Sequence, residues 1–335
     1  MHNVRRTARE VLSDEAVAAR RAQEQESLQA YKEREDAYLE HRRNGDVSDD
    51  ALASTTTLLS LNPEYYSVWN YRREILLRRF AEAGADGAAV RMQLLAEDLM
   101  LTQESMRTHP KVYWLWNHRR WCLEMLPPAD EAHGGAAAKW RKELALVDVM
   151  LGMDPRNFMG WNYRRYVVSE LASALVGGGA PAFPASLSSD ALSADARAAQ
   201  LALAHEELQY TLRKIESNFS NFSAWHYRSK LLPRVWDAQG LDDAARAAAR
   251  EEEFALLQQA MYTDPSDQSV WLYHSWLVGA APSQATLEAQ IGVIEELAEL
   301  EPESKWCLES LARYKRQLVS LHGAALGAPC CVGAY

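Results

Sequence analysis

Five copies of one pattern run along most of this chain, and a sixth is eroded. They read NPEYYSVWNYRRE from Asn62, HPKVYWLWNHRRW from His109, DPRNFMGWNYRRY from Asp154, SNFSNFSAWHYRSK from Ser217 and DPSDQSVWLYHSW from Asp264, with EPESKWCLESL from Glu301 as the worn copy. Each centres on a tryptophan: Trp69, Trp116, Trp161, Trp225, Trp271 and, weakly, Trp306. Successive tryptophans are 47, 45, 64, 46 and 35 residues apart. Recurrence at such a period restricts the fold severely, because a unit of that size buries its apolar face only by stacking on its neighbours. The expected architecture is all-α, a solenoid of helical-hairpin repeats.

Each repeat carries two helical patterns. The first ends at an Asn-Pro, His-Pro, Asp-Pro or Glu-Pro step, as in KELALVDVMLG before Asp154, where Leu144, Val147 and Leu151 recur at three and four residues. A residue before proline is pushed out of the helical region, so the first helix stops there. In the second pattern Tyr66, Trp69, Arg73, Leu76 and Leu77 share one helical face, as do Tyr113, Trp116, Arg120 and Leu123. That spacing predicts a buried aromatic pair in each repeat, with the tryptophans as architecture. The arginines Arg72 and Arg73, Arg119 and Arg120, Arg164 and Arg165, and Arg228 form a second column. Two uses are open to them: packing on the rings or pairing with acids of the adjacent helix, or lining a groove as a row of cations.

A formal net charge of −10 argues against sequence-independent nucleic-acid binding, which needs a basic surface. The four cysteines, Cys122, Cys307, Cys330 and Cys331, make neither a secreted disulfide framework nor a C-x-x-C zinc site, so a reducing, cytoplasmic location is expected. No apolar run approaches the length of a membrane span. Residues 1–45 read as a charged helical cap anchored by Leu28, Tyr31, Tyr38 and Leu39, and residues 46–320 as the repeat array. A flexible insertion at 176–197 and a disordered tail at 321–335 complete the division. His2, near the start, is a possible ligand to a metal on a partner. The pair Cys330 and Cys331 does not make a C-a-a-X box, because Val332 stands four from the end.

Proline, an aromatic residue, tryptophan and then Asn/His-x-Arg-Arg resemble the repeats of the protein prenyltransferase alpha subunits over roughly residues 20–318. Within that family, Asn218 to Ser229 and Thr263 to Leu277 look most like the Rab-type chain. The resemblance implies a right-handed crescent, an alpha-alpha superhelix wrapped around a catalytic beta subunit. It implies transfer of geranylgeranyl from its diphosphate to C-terminal cysteines of Rab GTPases presented by an escort protein. Larger Rab-type chains carry an immunoglobulin-like domain and leucine-rich repeats, for which the 46-residue gap before Trp271 and the short end leave no expected room.

Residue by residue, the resemblance places Arg156 at a diphosphate contact, where the farnesyl type has a lysine. Asn157, Phe158, Asn221 and Phe222 fall at substrate-binding positions, with Phe158 as apolar lining. No Asp, Cys and His set with ligand spacing and no DDxxD motif appears; Asp49-Asp50 and Asp242-Asp243 lack the third acid. The resemblance therefore implies no cofactor bound by this chain alone, zinc on the beta subunit, and geranylgeranyl diphosphate as co-substrate. Two other readings stay open: the alpha subunit shared by farnesyltransferase and type I geranylgeranyltransferase, and a non-enzymatic helical-repeat scaffold.

Overall fold

The computed structural model describes residues 13–84, 87–127, 135–179 and 181–326, with side chains as far as 321. All regular structure among them is helical. A long helix α1 (Asp14–Arg43) precedes six hairpins. These are α2 and α3 (Asp49–Leu61, Tyr66–Glu82), α4 and α5 (Gly87–Thr108, Tyr113–Met125), α6 and α7 (Gly135–Met153, Phe158–Leu175), α8 and α9 (Ala194–Ser217, Phe222–Ala238), α10 and α11 (Asp243–Thr263, Gln268–Val278), and α12 and α13 (Gln284–Leu300, Lys305–Leu326). The chain forms two compact units, Met1–Val167 and Val168–Tyr335, and the division falls inside α7. No helix among the described residues is long and apolar enough to cross a membrane. His2 and the Cys330–Cys331 pair lie outside the described residues.

The turn inside each hairpin explains the proline. In the third repeat Asn157 N–H donates to Asp154 O at 3.1 Å, closing a four-residue turn with Pro155 in its second position; the same bond joins Val112 to His109 and Asp267 to Asp264. That position suits the fixed φ of proline, and Asn or Asp suits the first because its side chain caps the turn. Asp264 Oδ1 accepts from Ser266 N–H at 3.0 Å in this way, as Asn218 Oδ1 does from Ser220 N–H. Helices that start outside these turns use side-chain caps: Ser48, Ser193, Asp242 and Ser283 each accept a backbone N–H of the first turn. The paired acids at Asp49 and Asp242 are thus helix starts; Asp49 also pairs with Arg79 at 2.6 Å.

The aromatic expectation is half corrected. Trp69, Trp116, Trp161, Trp225 and Trp271 are buried, but Tyr66 and Tyr113 are 56% and 59% exposed. Each is the first residue of its helix, at the turn, where the Trp114 ring lies 5.6 Å from Tyr66 and 5.8 Å from Tyr113 without burying either. The interior stripe is instead Val68, Trp69, Arg72, Ile75 and Leu76 in α3. In the sixth hairpin Cys307 is buried while Trp306 is only half-buried.

On α1, Tyr38 is the buried anchor and meets the rings of Tyr65 and Tyr71 edge-on, whereas Leu28 is exposed. Between α7 and α8, Gly177, Gly178 and Gly179 take positive φ and face open space. The rest of that segment folds back: Phe183 N–H donates to Ser169 Oγ at 3.1 Å, and Phe183 and Leu187 are buried around a 3-10 turn, Ala185–Ser188, packed on α8 and α9.

Candidate functional site

The central tryptophan of each full copy makes one and the same bond. Its indole Nε1–H donates to the carbonyl six residues earlier: Trp69 to Pro63 at 2.9 Å, Trp116 to Pro110 at 2.9 Å, Trp161 to Pro155 at 2.8 Å, Trp225 to Phe219 at 2.8 Å and Trp271 to Pro265 at 2.9 Å. A buried indole needs such a partner, and the acceptor is backbone. That is why the fourth repeat keeps the bond with Phe219 where its siblings have proline.

Three residues beyond the tryptophan the arginine column resolves into interior nodes. Arg119 donates from Nε and Nη2 to Glu143 at 2.6 and 2.7 Å, and from Nη1 to Leu99 O at 2.8 Å and Thr102 Oγ1 at 3.2 Å. Tyr163 Oη–H closes the node on Glu143 at 2.7 Å. Arg228 repeats it with Glu253, Leu208 O, Thr211 and Tyr273, and Arg72 with Asp98, Leu52 O, Thr55 and His118. In the third repeat Val147 occupies the threonine position, and Arg164 pairs with Asp148. All four arginines are buried and do not face a groove; Arg72, Arg119 and Arg228 each tie a hairpin to the next, whereas the Arg164–Asp148 pair lies within its own hairpin. The second arginines also reach across repeats. Arg73 binds Asn117 at 2.7 Å and lies over the Trp121 ring, while Arg120 lies 4.4 Å over Tyr166.

The acids of these nodes were missed in the sequence, although a signal was present. Asp98, Glu143 and Glu253 each stand twelve residues before the proline inside an otherwise apolar stripe, and all are buried. Burial pulls the Arg228 pKa down, but the hydrogen bond and charge of Glu253 outweigh it and hold the pKa above its ordinary value. Burial and Glu143 push the Tyr163 hydroxyl well up.

One cluster has metal-ligand chemistry that no linear spacing displayed: Asp98 of α4 with His118 and Cys122 of α5, all buried, their ligand atoms within 4.8 Å of one another. The groups do not fit an ion. Asp98 accepts from Arg72 and from His118 Nε2 at 2.7 Å, and His118 Nδ1 accepts from Arg73 at 3.1 Å. Burial drops the His118 pKa to about 4, against the pull of Asp98, and drives the Cys122 thiol well up. The His118 Nδ1 lone pair and both Asp98 oxygens are already engaged, so of the three groups only the Cys122 sulfur stands without a hydrogen bond among the described residues.

The residues mapped to substrate lie on the third and fourth turns. Arg156 is exposed, and no side chain among the described residues pairs with it. Phe158 and Phe222 open α7 and α9 and are 64% and 46% exposed. Asn157 and Asn221 are buried N-caps. Asn157 Oδ1 accepts from Met159 and Gly160 N–H at 3.0 and 3.2 Å while its Nδ2 donates to Pro110 O at 2.9 Å; Asn221 Oδ1 accepts from Ala224 N–H at 3.3 Å. The two phenylalanines and Arg156 therefore face out, and the two asparagines face in. A cavity of about 990 Å³ between α4, α5 and α6 has Leu99, Leu123 and Val149 among its walls, but neither Arg156 nor Phe158.

Comparison with known proteins places the same turns at the centre of a known repeat. The profile described as protein prenyltransferase alpha subunit repeat matches residues 48–79, 95–126, 140–171, 204–235 and 250–281. A Schizosaccharomyces pombe protein named geranylgeranyl transferase type-2 subunit alpha is 36% identical over 94% of this chain and 86% of its own length. Its namesake from Candida albicans is 30% identical over 92% and 86%. The Rattus norvegicus namesake is 33% identical over 80% of this chain, which spans 41% of it. Among solved structures, Candida albicans protein geranylgeranyltransferase-I complexed with GGPP is similar in fold, with a TM-score of 0.51 at 18% identity over 88% of this chain and 91% of that one.

Proposed function

The chain belongs to the protein prenyltransferase alpha subunit family, and on that premise we propose that it is the alpha subunit of a Rab geranylgeranyltransferase. One observation carries this reading: relatives named as type-2 alpha subunits align with more than nine-tenths of the chain at 30% and 36% identity. Its reaction transfers geranylgeranyl from its diphosphate to C-terminal cysteines of Rab GTPases. It works as a heterodimer with a beta subunit, in the cytoplasm, on Rab presented by an escort protein.

In that reaction the thiolate sulfur bonds to the first carbon of the isoprenoid as the carbon–oxygen bond to diphosphate breaks. Negative charge grows on the departing oxygens. Arg156 meets that charge: it stands free at a turn, and its planar guanidinium suits two phosphate oxygens at once. A cation already in place stabilises the transition state more than the ground state. Phe158, an exposed ring two residues from Arg156, offers the isoprenoid an apolar surface. Zinc held by the beta subunit supplies activation of the cysteine thiol. The support for placing that metal on the partner is chemical, since in the Asp98, His118 and Cys122 cluster the carboxylate and the imidazole are already taken up by Arg72, Arg73 and each other.

Co-purified with its beta subunit, the protein is expected to modify full-length Rab with escort protein and to leave a short C-a-a-X peptide unmodified. The opposite result assigns it to the farnesyl and type I enzymes. Capture that recovers no beta chain makes it a scaffold.

A further inference from the structure

We infer that Asn157 is a positioning residue for Arg156, tying the third turn to the second so that the guanidinium is presented from a fixed backbone. This rests on the reading of Arg156 as the diphosphate contact. A long exposed side chain stabilises developing charge only if its backbone is held in place beforehand, since each rotor left free is ordered during the reaction.

The third turn is held at three points. Trp161 Nε1–H donates to Pro155 O at 2.8 Å, within the repeat. Asn157 Nδ2–H donates to Pro110 O at 2.9 Å, forty-seven residues away, and that carbonyl also accepts from Trp116 Nε1–H at 2.9 Å, so one oxygen joins two repeats. Asn157 Oδ1 fixes the start of α7 through Met159 and Gly160. Gly160 is there because a Cβ would sit 2.9 Å from Leu151 Cδ2 and 3.7 Å from the Trp116 ring, which presses α7 onto the end of α6. The Lys111–Asp154 pair, at 3.5 Å and with the lysine exposed, is a longer second contact between the same two turns.

Among the sibling turns, the sixth has only a longer version, Ser304 Oγ–H to Pro265 O at 3.5 Å, and in the fourth the buried Asn221 Nδ2 has no partner among the described residues. The second turn has Val112 at the corresponding position, whose side chain has no donor, and the first has Tyr65, which donates instead to Glu35 of α1 at 2.8 Å. In the fifth turn Asp267 caps Ser269 N–H and has no hydrogen to offer a carbonyl. The turn bearing Arg156 is the one whose buried amide bridges to its predecessor at 2.9 Å.

The heterodimer carrying Asn157→Asp keeps both capping acceptors and loses the donor. We expect kcat to fall about tenfold, equivalent to ~1.4 kcal/mol in the barrier, with KM for Rab near wild type and a lowered melting temperature, because the new carboxylate is buried against the Pro110 carbonyl. Asn157→Ala, which adds no charge, is expected to lower kcat to a similar degree. In an Arg156→Ala background neither change should lower kcat further, because a positioning residue acts through the group it positions. Wild-type kcat in both single variants overturns the inference, and so does an equal fall in the Arg156→Ala background. Unchanged turnover in Arg156→Ala alone instead removes the assignment on which the inference rests.

Discussion

The fourth and fifth repeats solve one packing problem with opposite electrostatics. In the fourth, three residues past Trp225, Arg228 holds Glu253 at 2.9 Å, Leu208 O and Thr211, and Tyr273 closes the node. In the fifth, three residues past Trp271, the position is His274; its Nδ1 meets Tyr314 Oη at 2.9 Å and its Nε2 meets Gln290 Oε1 at 2.9 Å. Gln290 stands at the glutamate position, twelve residues before Pro302, and Leu257 at the threonine position. Arg313 donates to the Tyr314 hydroxyl at 2.8 Å, so that hydroxyl gives its proton to Nδ1 and the imidazole donates from Nε2. Cation and anion have both gone, and every polar group still has its partner. The pair, and neither residue alone, is the unit that the stacking requires, because a buried charge without its counter-ion costs far more than a satisfied neutral contact.

The most direct way to break this comparison is to remove one half of the charged node. Arg228→Met leaves Glu253 buried and unpaired, and urea unfolding should show a loss of about 3 to 5 kcal/mol; a loss under 1 kcal/mol would show that water reaches the site. Trp161→Ala provides a reference of similar size, about 3 to 5 kcal/mol through cavity formation, read by the same method. Replacing both partners, Arg228→His with Glu253→Gln, should recover most of the Arg228→Met loss, to within about 2 kcal/mol of wild type. Failure to recover would mean that Tyr314, supplied by α13, and not the swap itself, makes the neutral node work.

Acid sharpens the same contrast. Burial, against the pull of Gln290 and with the help of Arg313, lowers the His274 pKa to about 4, and burial brings His118 to the same value. The unfolded chain binds those protons near pH 6.5 and the folded chain does not. Their stabilisation is therefore complete above about pH 7 and is lost as the pH falls from 6.5 towards 4. His274→Gln should flatten that limb by about one proton, whereas the carboxylates respond lower: the Asp98 carboxyl is held below its ordinary range because Arg72 and His118 outweigh its burial. An unaltered acid limb would place His274 in solvent. The smallest effect on stability belongs to Arg156→Ala, whose melting curve and dimer should match wild type while turnover falls about tenfold or more.

Aligning the copies was enough to reveal hairpins, their turns and the tryptophan column, because each follows from local chemistry. Proline sets the turn, the three-and-four spacing sets the stripe, and both recur in register. Arg156, Phe158 and Phe222 were legible only through resemblance, since nothing in composition distinguishes an exposed turn arginine from any other. The spacing misled for Tyr66 and Tyr113, which share the helical face of their tryptophans but open their helices at the turn and stay exposed. Glu143 and Glu253 sit in an apolar stripe because Arg119 and Arg228 meet them from another hairpin, a contact that spacing along one helix does not display.

By itself the sequence determined a repeating all-α chain, the family it belongs to, and where each turn falls, because these depend on contacts within about a dozen residues. Only the tertiary structure decided that the arginine column is internal glue, that Asp98 and His118 gather beside Cys122 with their ligand atoms already held by arginines and each other, and that Asn157 faces inward to Pro110 while Arg156 faces out. Those outcomes turn on which groups from separate repeats meet and how completely they lose water, and neither is encoded in local spacing.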